Sequence, residues 1–190
     1  DWDLFGFAEQ STGGSVVVAG YSYLTADVSD AFVQKYEFAP TDIVPSSYQV
    51  NYGVETTAPG VSNLQANDGD TVQLCQNLDQ EDPNPVQMEV SATNTNVNPS
   101  SLNFNLVCRA EASDREVFIE MFNFNVGDWA GIPSFPVTDS DALYTVGAPG
   151  TAGDFVNDSD GLMISRITGF LGAADTPTLP CWDFNHCFWN

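Results

Sequence analysis

The chain has 190 residues, 43% hydrophobic and 12% aromatic, with 26 Asp and Glu against four Lys and Arg for a net charge of −22. That length and apolar content suffice for one sizeable domain with a core, and aromatic and β-branched residues throughout exclude a disordered polyanion. The negative field excludes nucleic acid and anionic lipid as partners, because nothing offsets phosphate repulsion; it favours cations and suits salty media, where screening limits self-repulsion.

The chain opens with Asp1-Trp2-Asp3-Leu4-Phe5-Gly6-Phe7. Leaving Trp2, Leu4, Phe5 and Phe7 in water forgoes about 1.5–3 kcal/mol each if they could be buried. Residues 1–24 are therefore expected to pair along a sheet edge. The acceptor is either the same molecule, which makes the segment one more strand, or a neighbour, which gives a head-to-tail contact and an open filament. Ser15 to Leu24 reads as a strand, with Val17, Ala19, Tyr21 and Tyr23 on one face. Asp27 to Phe38 is ambiguous: Val28, Phe32 and Tyr36 fall at helical spacing, whereas Tyr36 and Phe38 alternate. Pro40 ends it either way.

From Pro45 onward the pattern becomes regular. Eight short strands are predicted at Ser46–Gly53, Asp70–Asn77, Val86–Ala92, Ser101–Ala110, Val117–Phe124, Ala142–Gly147, Leu162–Phe170 and Cys181–Trp189. Leu102, Phe104 and Leu106 alternate cleanly, and Val117, Ile119 and Met121 oppose Phe118, Glu120 and Phe122, so this fifth strand should be well covered. In the last strand Trp182, Phe184, His186 and Phe188 recur at a period of two, which predicts one buried face. Polar turns separate the strands, among them Asn94 to Pro99, Gly147 to Gly150 and Asn157 to Gly161. Many short strands at regular spacing indicate an all-β antiparallel sandwich, jelly-roll-like, preceded by an extended N-terminal segment. The expected division is residues 1–44 as extension and 45–190 as sandwich. No window is long and apolar enough to span a bilayer as a helix. With neither an initiator Met nor a leader-like start, the chain reads as a secreted product whose signal peptide has been removed.

Residues 45–190, about three-quarters of the chain, resemble a recurrent, poorly characterised jelly-roll-like domain of secreted bacterial multidomain proteins. The resemblance is carried in order by Ser46–Gly53, Asn63-Leu64, Asn67-Asp68-Gly69-Asp70 with Val72 and Leu74, and Val86–Thr93. It continues through Pro99 to Phe104, Ile119 to Phe124 with Trp129, Gly161 to Ile167, and Trp182 to Trp189. Asn185 stands where that family usually has an acid, and the cysteines are additional. The resemblance implies a β-sandwich, secretion and an accessory role without enzyme activity.

The residues themselves carry little catalytic signal. His186 is the only histidine; it lies on a strand read as buried, which suits a structural role better than a Ser–His or Cys–His mechanism. Among 26 acids any pair can be nominated for glycoside hydrolysis, so the pairing says nothing without geometry. Asp68 and Asp70, and Asp158 and Asp160, sit in short oxygen-rich turns of the kind Ca²⁺ prefers, though neither loop matches an EF-hand and both also read as solvated turns. Ca²⁺ is the one cofactor suggested. Trp129, beside Gly127-Asp128 in an expected loop, is the candidate for stacking on a sugar ring. Asn157-Asp158-Ser159 fits a glycosylation sequon, a triplet common by chance.

Four cysteines without CxxC spacing argue for an oxidising compartment and against structural zinc. Cys75 and Cys108 end the second and fourth predicted strands, which lie in one sheet in jelly-roll order, and this favours a Cys75–Cys108 bridge. It leaves Cys181 and Cys187, about 20 Å apart along a straight strand and too far to bridge without a bulge or turn near Asn185. The combined reading is a non-enzymatic extracellular structural protein that self-associates, as a subunit of a cell-surface filament or sheath. The alternative is a carbohydrate-binding, lectin-like module with a glycan partner; a hydrolase with paired acids in a cleft comes third.

Overall fold

The computed structural model describes residues 5–11, 15–25, 28–37, 42–56, 60–77, 86–111, 115–131, 134–171 and 180–190. The chain divides into two compact units, Asp1–Thr41 and Asp42–Asn190. In the first, β1 (Phe5–Ser11), β2 (Ser15–Thr25) and β3 (Val28–Glu37) form an antiparallel sheet in that order. The segment with helical spacing is thus a strand. β3 pairs with β2 from Ser15↔Glu37 to Thr25↔Val28, and this ladder outweighs a weak periodicity. β1 pairs with β2 from Phe5↔Tyr21 to Ser11↔Ser15, so the opening segment finds a partner within its own chain. Trp2 and Leu4 lie outside the described residues.

The second unit is an antiparallel β-sandwich. Its strands are β4 (Ser47–Tyr52), β5 (Val54–Glu55), β6 (Val72–Cys75), β7 (Val86–Thr93), β8 (Asn103–Ala110), β9 (Arg115–Asn123), β10 (Asp128–Gly131), β11 (Phe135–Val137), β12 (Ala142–Gly147), β13 (Leu162–Leu171) and β14 (Cys181–Trp189). A six-stranded sheet runs β10-β9-β13-β7-β4, with β11 also on β9; a five-stranded sheet runs β12-β8-β14-β6-β5. Alternation decides what each strand buries. Val86, Met88 and Val90 on β7, Val117, Ile119 and Met121 on β9, and Met163 and Ile167 on β13 face inward and are nearly free of solvent. From the opposite sheet Val72, Leu74, Phe104, Leu106, Trp182, Phe184 and Trp189 meet them in one core. The Trp189 indole N–H donates to Ser165 Oγ across the two sheets at 3.2 Å.

Two expectations are corrected here. β14 does not keep one buried face at Trp182, Phe184, His186 and Phe188. Its register on β8 shifts between Phe184 and His186, where Asn185 forms a bulge. An extra residue flips every later side chain. Cys187 and Trp189 therefore enter the core, and His186 and Phe188 emerge half-exposed on the outer face.

Cys75 bonds to Cys181 instead of Cys108, and Cys108 and Cys187 are buried free thiols. β6 and β8 do share a sheet, but β14 is inserted between them. Cys181 lies directly opposite Cys75, whereas Cys108 lies opposite Phe184 and Cys187 opposite Leu106. Burial pushes both free thiols above the ordinary range and keeps them protonated. β5, β10 and β11, of two to four residues, were too short for the sequence pattern to register.

The bridge spans 106 residues, so it restrains a long loop in the unfolded chain. Replacing Cys75 and Cys181 together by Ala is expected to cost about 2–5 kcal/mol, read as a lower urea midpoint. Peptide mapping should recover the Cys75–Cys181 link, with Cys108 and Cys187 labelled only after unfolding. An unchanged midpoint, or native-state labelling of those thiols, would contradict this account.

Candidate functional site: the outer face of the six-stranded sheet

Side chains that alternate away from the core on β7, β9 and β13 form the outer face of this sheet. On β13 these include Ile164, Arg166, Thr168 and Phe170; on β9, Glu116, Phe118, Glu120 and Phe122; on β7, Gln87, Glu89 and Ser91. Arg166 lies in register with Glu89 on one side and Glu120 on the other. Its guanidinium takes Glu120, with Nη2 and Oε2 2.7 Å apart. Glu89 is engaged from β4, where the Asn51 amide donates to its Oε1 at 3.0 Å. Asn51 also accepts from Gln49 at 3.1 Å, and Gln87 donates to Thr168 Oγ1 at 3.0 Å. A row of amides, carboxylates, a hydroxyl and one guanidinium therefore crosses four strands.

Trp129 joins this row. It is on β10 and not in a loop, because a tight turn brings the strand straight back onto β9. Asn123 Oδ1 accepts the Val126 N–H at 2.9 Å, and Gly127 supplies the positive φ of 76° that the turn needs. Trp129 thereby faces Phe122 in register. Its ring makes an edge contact with Phe122, centroids 5.3 Å apart, and Arg166 stacks over it at 4.1 Å. Phe118 packs edge-on to Phe170 and lies over Gly131, where an added Cβ would meet the ring at 2.4 Å. The sequence did hold a signal for this face: Asn123 to Gly127 is a turn between alternating apolar residues, which returns Trp129 beside Phe122.

The loop acids close their own turns. Asp68 Oδ1 accepts the Asp70 N–H at 3.1 Å, and Asp160 Oδ1 accepts the Leu162 N–H at 3.1 Å. Asn157 Oδ1 accepts from the Ser159 N–H and hydroxyl, and Asp158 lies exposed in that turn. Among the described residues no three His, Cys, Asp or Glu side chains gather as a metal site. Asn67 is tied to the bulge, with the Asn185 amide donating to it at 2.9 Å and to Asp141 at 3.0 Å. Nearby, Arg109 donates to Asp183 at 3.0 Å.

His186 stacks on Phe188 at 4.8 Å. Burial pulls its pKa below the ordinary value, while Asp42 and Asp68 oppose that shift. No catalytic dyad forms around this imidazole among the described residues, and no described helix is long and apolar enough to cross a membrane.

No family model matches this chain, and no curated protein matches it. Among solved structures it is similar to a family 61 carbohydrate-binding module in complex with β-1,4-galactotriose, with TM-score 0.44 and 9% identity over 77% of this chain and 90% of that one. It is also similar to a family 4 module, with TM-score 0.36 and 15% identity over 73% of this chain and 74% of that one. A third is the CBM51-2 and INT domains from Clostridium perfringens ZmpB, with TM-score 0.36 and 9% identity, where the match spans 40% of that chain's length. Likenesses this distant argue nothing about ligand or activity.

Two tests follow from the geometry. A double-mutant cycle of Glu120→Gln and Arg166→Met should give a coupling of about 1.5–3 kcal/mol, the range for hydrogen bonds to charged groups; additive effects would show that the pair is not formed. The His186 shift makes the unfolded state bind more protons than the folded state just below about pH 6.5. Stability from this group therefore falls as pH drops through that window. His186→Gln should narrow the difference between unfolding midpoints at neutral and mildly acidic pH, and an unchanged difference would contradict the burial.

Proposed function

We propose that the outer face of the six-stranded sheet binds a neutral glycan and that the protein is an extracellular binding module without catalytic chemistry. The observation that carries this reading is Trp129, a half-buried indole braced by Arg166 and Phe122 beside a fixed row of amides and carboxylates. A sugar ring offers an apolar C–H face to an aromatic ring and hydroxyls that both donate and accept. Amides match both functions, carboxylates accept, and guanidinium donates. The polar groups already hold one another, so little ordering is needed on binding. Glu120 is committed to Arg166 and Glu89 to Asn51, which suits recognition better than proton transfer. The net charge of −22 disfavours acidic polysaccharides.

Secretion is supported by the Cys75–Cys181 bridge, which needs an oxidising compartment. The filament reading is second. One route to it was donation of the opening segment to a neighbour, and the pairing of β1 with β2 gives that route no support.

Isothermal titration against linear gluco-, xylo-, manno- and galacto-hexaoses tests the proposal. At least one should bind, and Trp129→Ala should weaken it by about 2 kcal/mol, the scale of an interface hot spot, or about thirtyfold in Kd. Silence across the panel, or full affinity in the variant, would remove the reading. Concentration-dependent polymerisation without sugar binding would restore the structural one.

A further inference from the structure

A cavity of about 410 Å³ opens at one end of the sandwich, walled by Asn98, Phe124, Asn125, Asp154 and Asp158. Its walls are loops, yet each is held. The turn carrying Asn98 is laddered by side chains, since Asn94 Oδ1 accepts the Asn96 N–H at 2.9 Å and Asn96 Oδ1 accepts the Asn98 N–H at 3.1 Å. The short 3₁₀ turn Ala152–Phe155 is pinned into the core by Phe155 and followed by buried Val156. The Phe124 N–H donates to the Asp154 carbonyl at 2.7 Å, which ties that turn to the end of β9. A Cβ on Gly153 would lie 3.1 Å from Asn98 Oδ1, so the missing side chain lets two walls close on each other. The cavity is therefore built before any ligand arrives.

Its chemistry is specific. Phe124 gives an aromatic wall, Asn98 and Asn125 give amides that donate and accept, and Asp154 and Asp158 give acceptors. Among the described residues no basic side chain lines it. This combination refuses anions and fits vicinal hydroxyls beside an apolar C–H face. The volume falls within the range of small-ligand sites, about 300–1,000 Å³. The cavity is also continuous with the sheet face through aromatic rings. Trp129 contacts Phe122 at 5.3 Å, and Phe122 contacts Phe124 at 5.0 Å.

We propose that this cavity is a chain-end subsite that takes the terminal uncharged sugar of a glycan whose inner residues lie along Phe122 and Trp129. The assignment of inner residues rests on the glycan-binding reading, whereas the cavity's own ligand can be tested alone. The full chain is titrated by NMR with free glucose, galactose, mannose, xylose and N-acetylglucosamine, reading the side-chain amides of Asn98 and Asn125. At least one sugar should move these signals. The shifts should persist in Trp129→Ala and be lost in Phe124→Leu and Asp158→Asn, the second being an exposed, isosteric change that spares the fold. No shift with any of the five sugars, or shifts that survive both cavity variants, overturns the proposal. Calcium chloride moving the same signals while every sugar is silent overturns it in favour of a cation pocket.

The chain-end assignment has its own readout. Asp158→Asn should weaken a bound hexaose about tenfold yet leave binding to the insoluble polymer of the same sugar, nearly all internal residues, unchanged. Equal losses overturn it. Failure of the sheet-face reading looks different: Trp129→Ala would then bind the hexaose at full affinity while monosaccharides still moved the Asn98 and Asn125 signals, which retains the cavity as a sugar site.

Discussion

The sandwich depends on how β14 is keyed against β13. Trp182 and Trp189 are fully buried, and aromatic side chains of this size dominate core energetics. Each meets β13 differently. Trp182 lies so close to Gly169 that an added Cβ would be 2.7 Å from the indole. Trp189 donates to Ser165 and packs on Phe104 with centroids 4.9 Å apart. One indole thus needs the absence of a side chain and the other needs a hydroxyl, and both positions lie on the inner face of β13. Because strand side chains alternate, fixing Ser165, Ile167 and Gly169 inward fixes Arg166 and Thr168 outward. The polar row on the outer face is set by packing beneath it.

Charge is distributed with the same economy. Of four basic residues, Arg166 pairs with Glu120 on one sheet face and Arg109 with Asp183 on the other. Arg115 is buried with its guanidinium 5.9 Å from the Trp182 ring. Each described arginine is held at a strand face or in the core, and the chain's 26 acids far outnumber its four bases. Mobile ions then screen a field that no side chain cancels. The same distribution leaves Asp154 and Asp158 around the end cavity with no basic residue among its described lining, which is why a neutral ligand suits it better than an anion.

Much of the fold was legible because the strands of the second unit alternate strongly. Ala142–Gly147 and Cys181–Trp189 were read to the residue; the two alternating sets of β9 were separated, but with apolar residues in both the pattern did not say that Val117, Ile119 and Met121 face inward. The cysteine pairing was not legible, because it depends on strand order: the last strand in the chain sits between β6 and β8. The face of His186 and Phe188 was misread because apolar period two continues unbroken through a bulge that reverses it. Trp129 stood out as a candidate for stacking but was placed in a loop, since a four-residue strand leaves no period to read. The end cavity is assembled from turns far apart in sequence, and no local pattern announces such a convergence.

The bulge at Asn185 shows how one irregular residue joins these parts. β14 pairs with β6 only from Cys181 to Phe184; beyond the bulge it keeps β8, and Trp189 pairs with Ile43. The strand therefore changes its second neighbour where the bulge lies. Asn185 is almost fully buried there, and its Oδ1 has no hydrogen-bond partner among the described residues. Leaving such an atom unsatisfied costs about 1–3 kcal/mol. Its amide nitrogen offsets part of that cost through Asn67 and Asp141, which also holds the 67–70 turn against the sheet. The larger return is parity. Were Asn185 paired in a regular ladder instead of bulged, His186 and Phe188 would point inward, and Trp189 would leave Ser165 and Phe104. The unsatisfied oxygen is tolerated because the bulge puts the second indole into the core, and that indole helps to hold β13 with Arg166 outward.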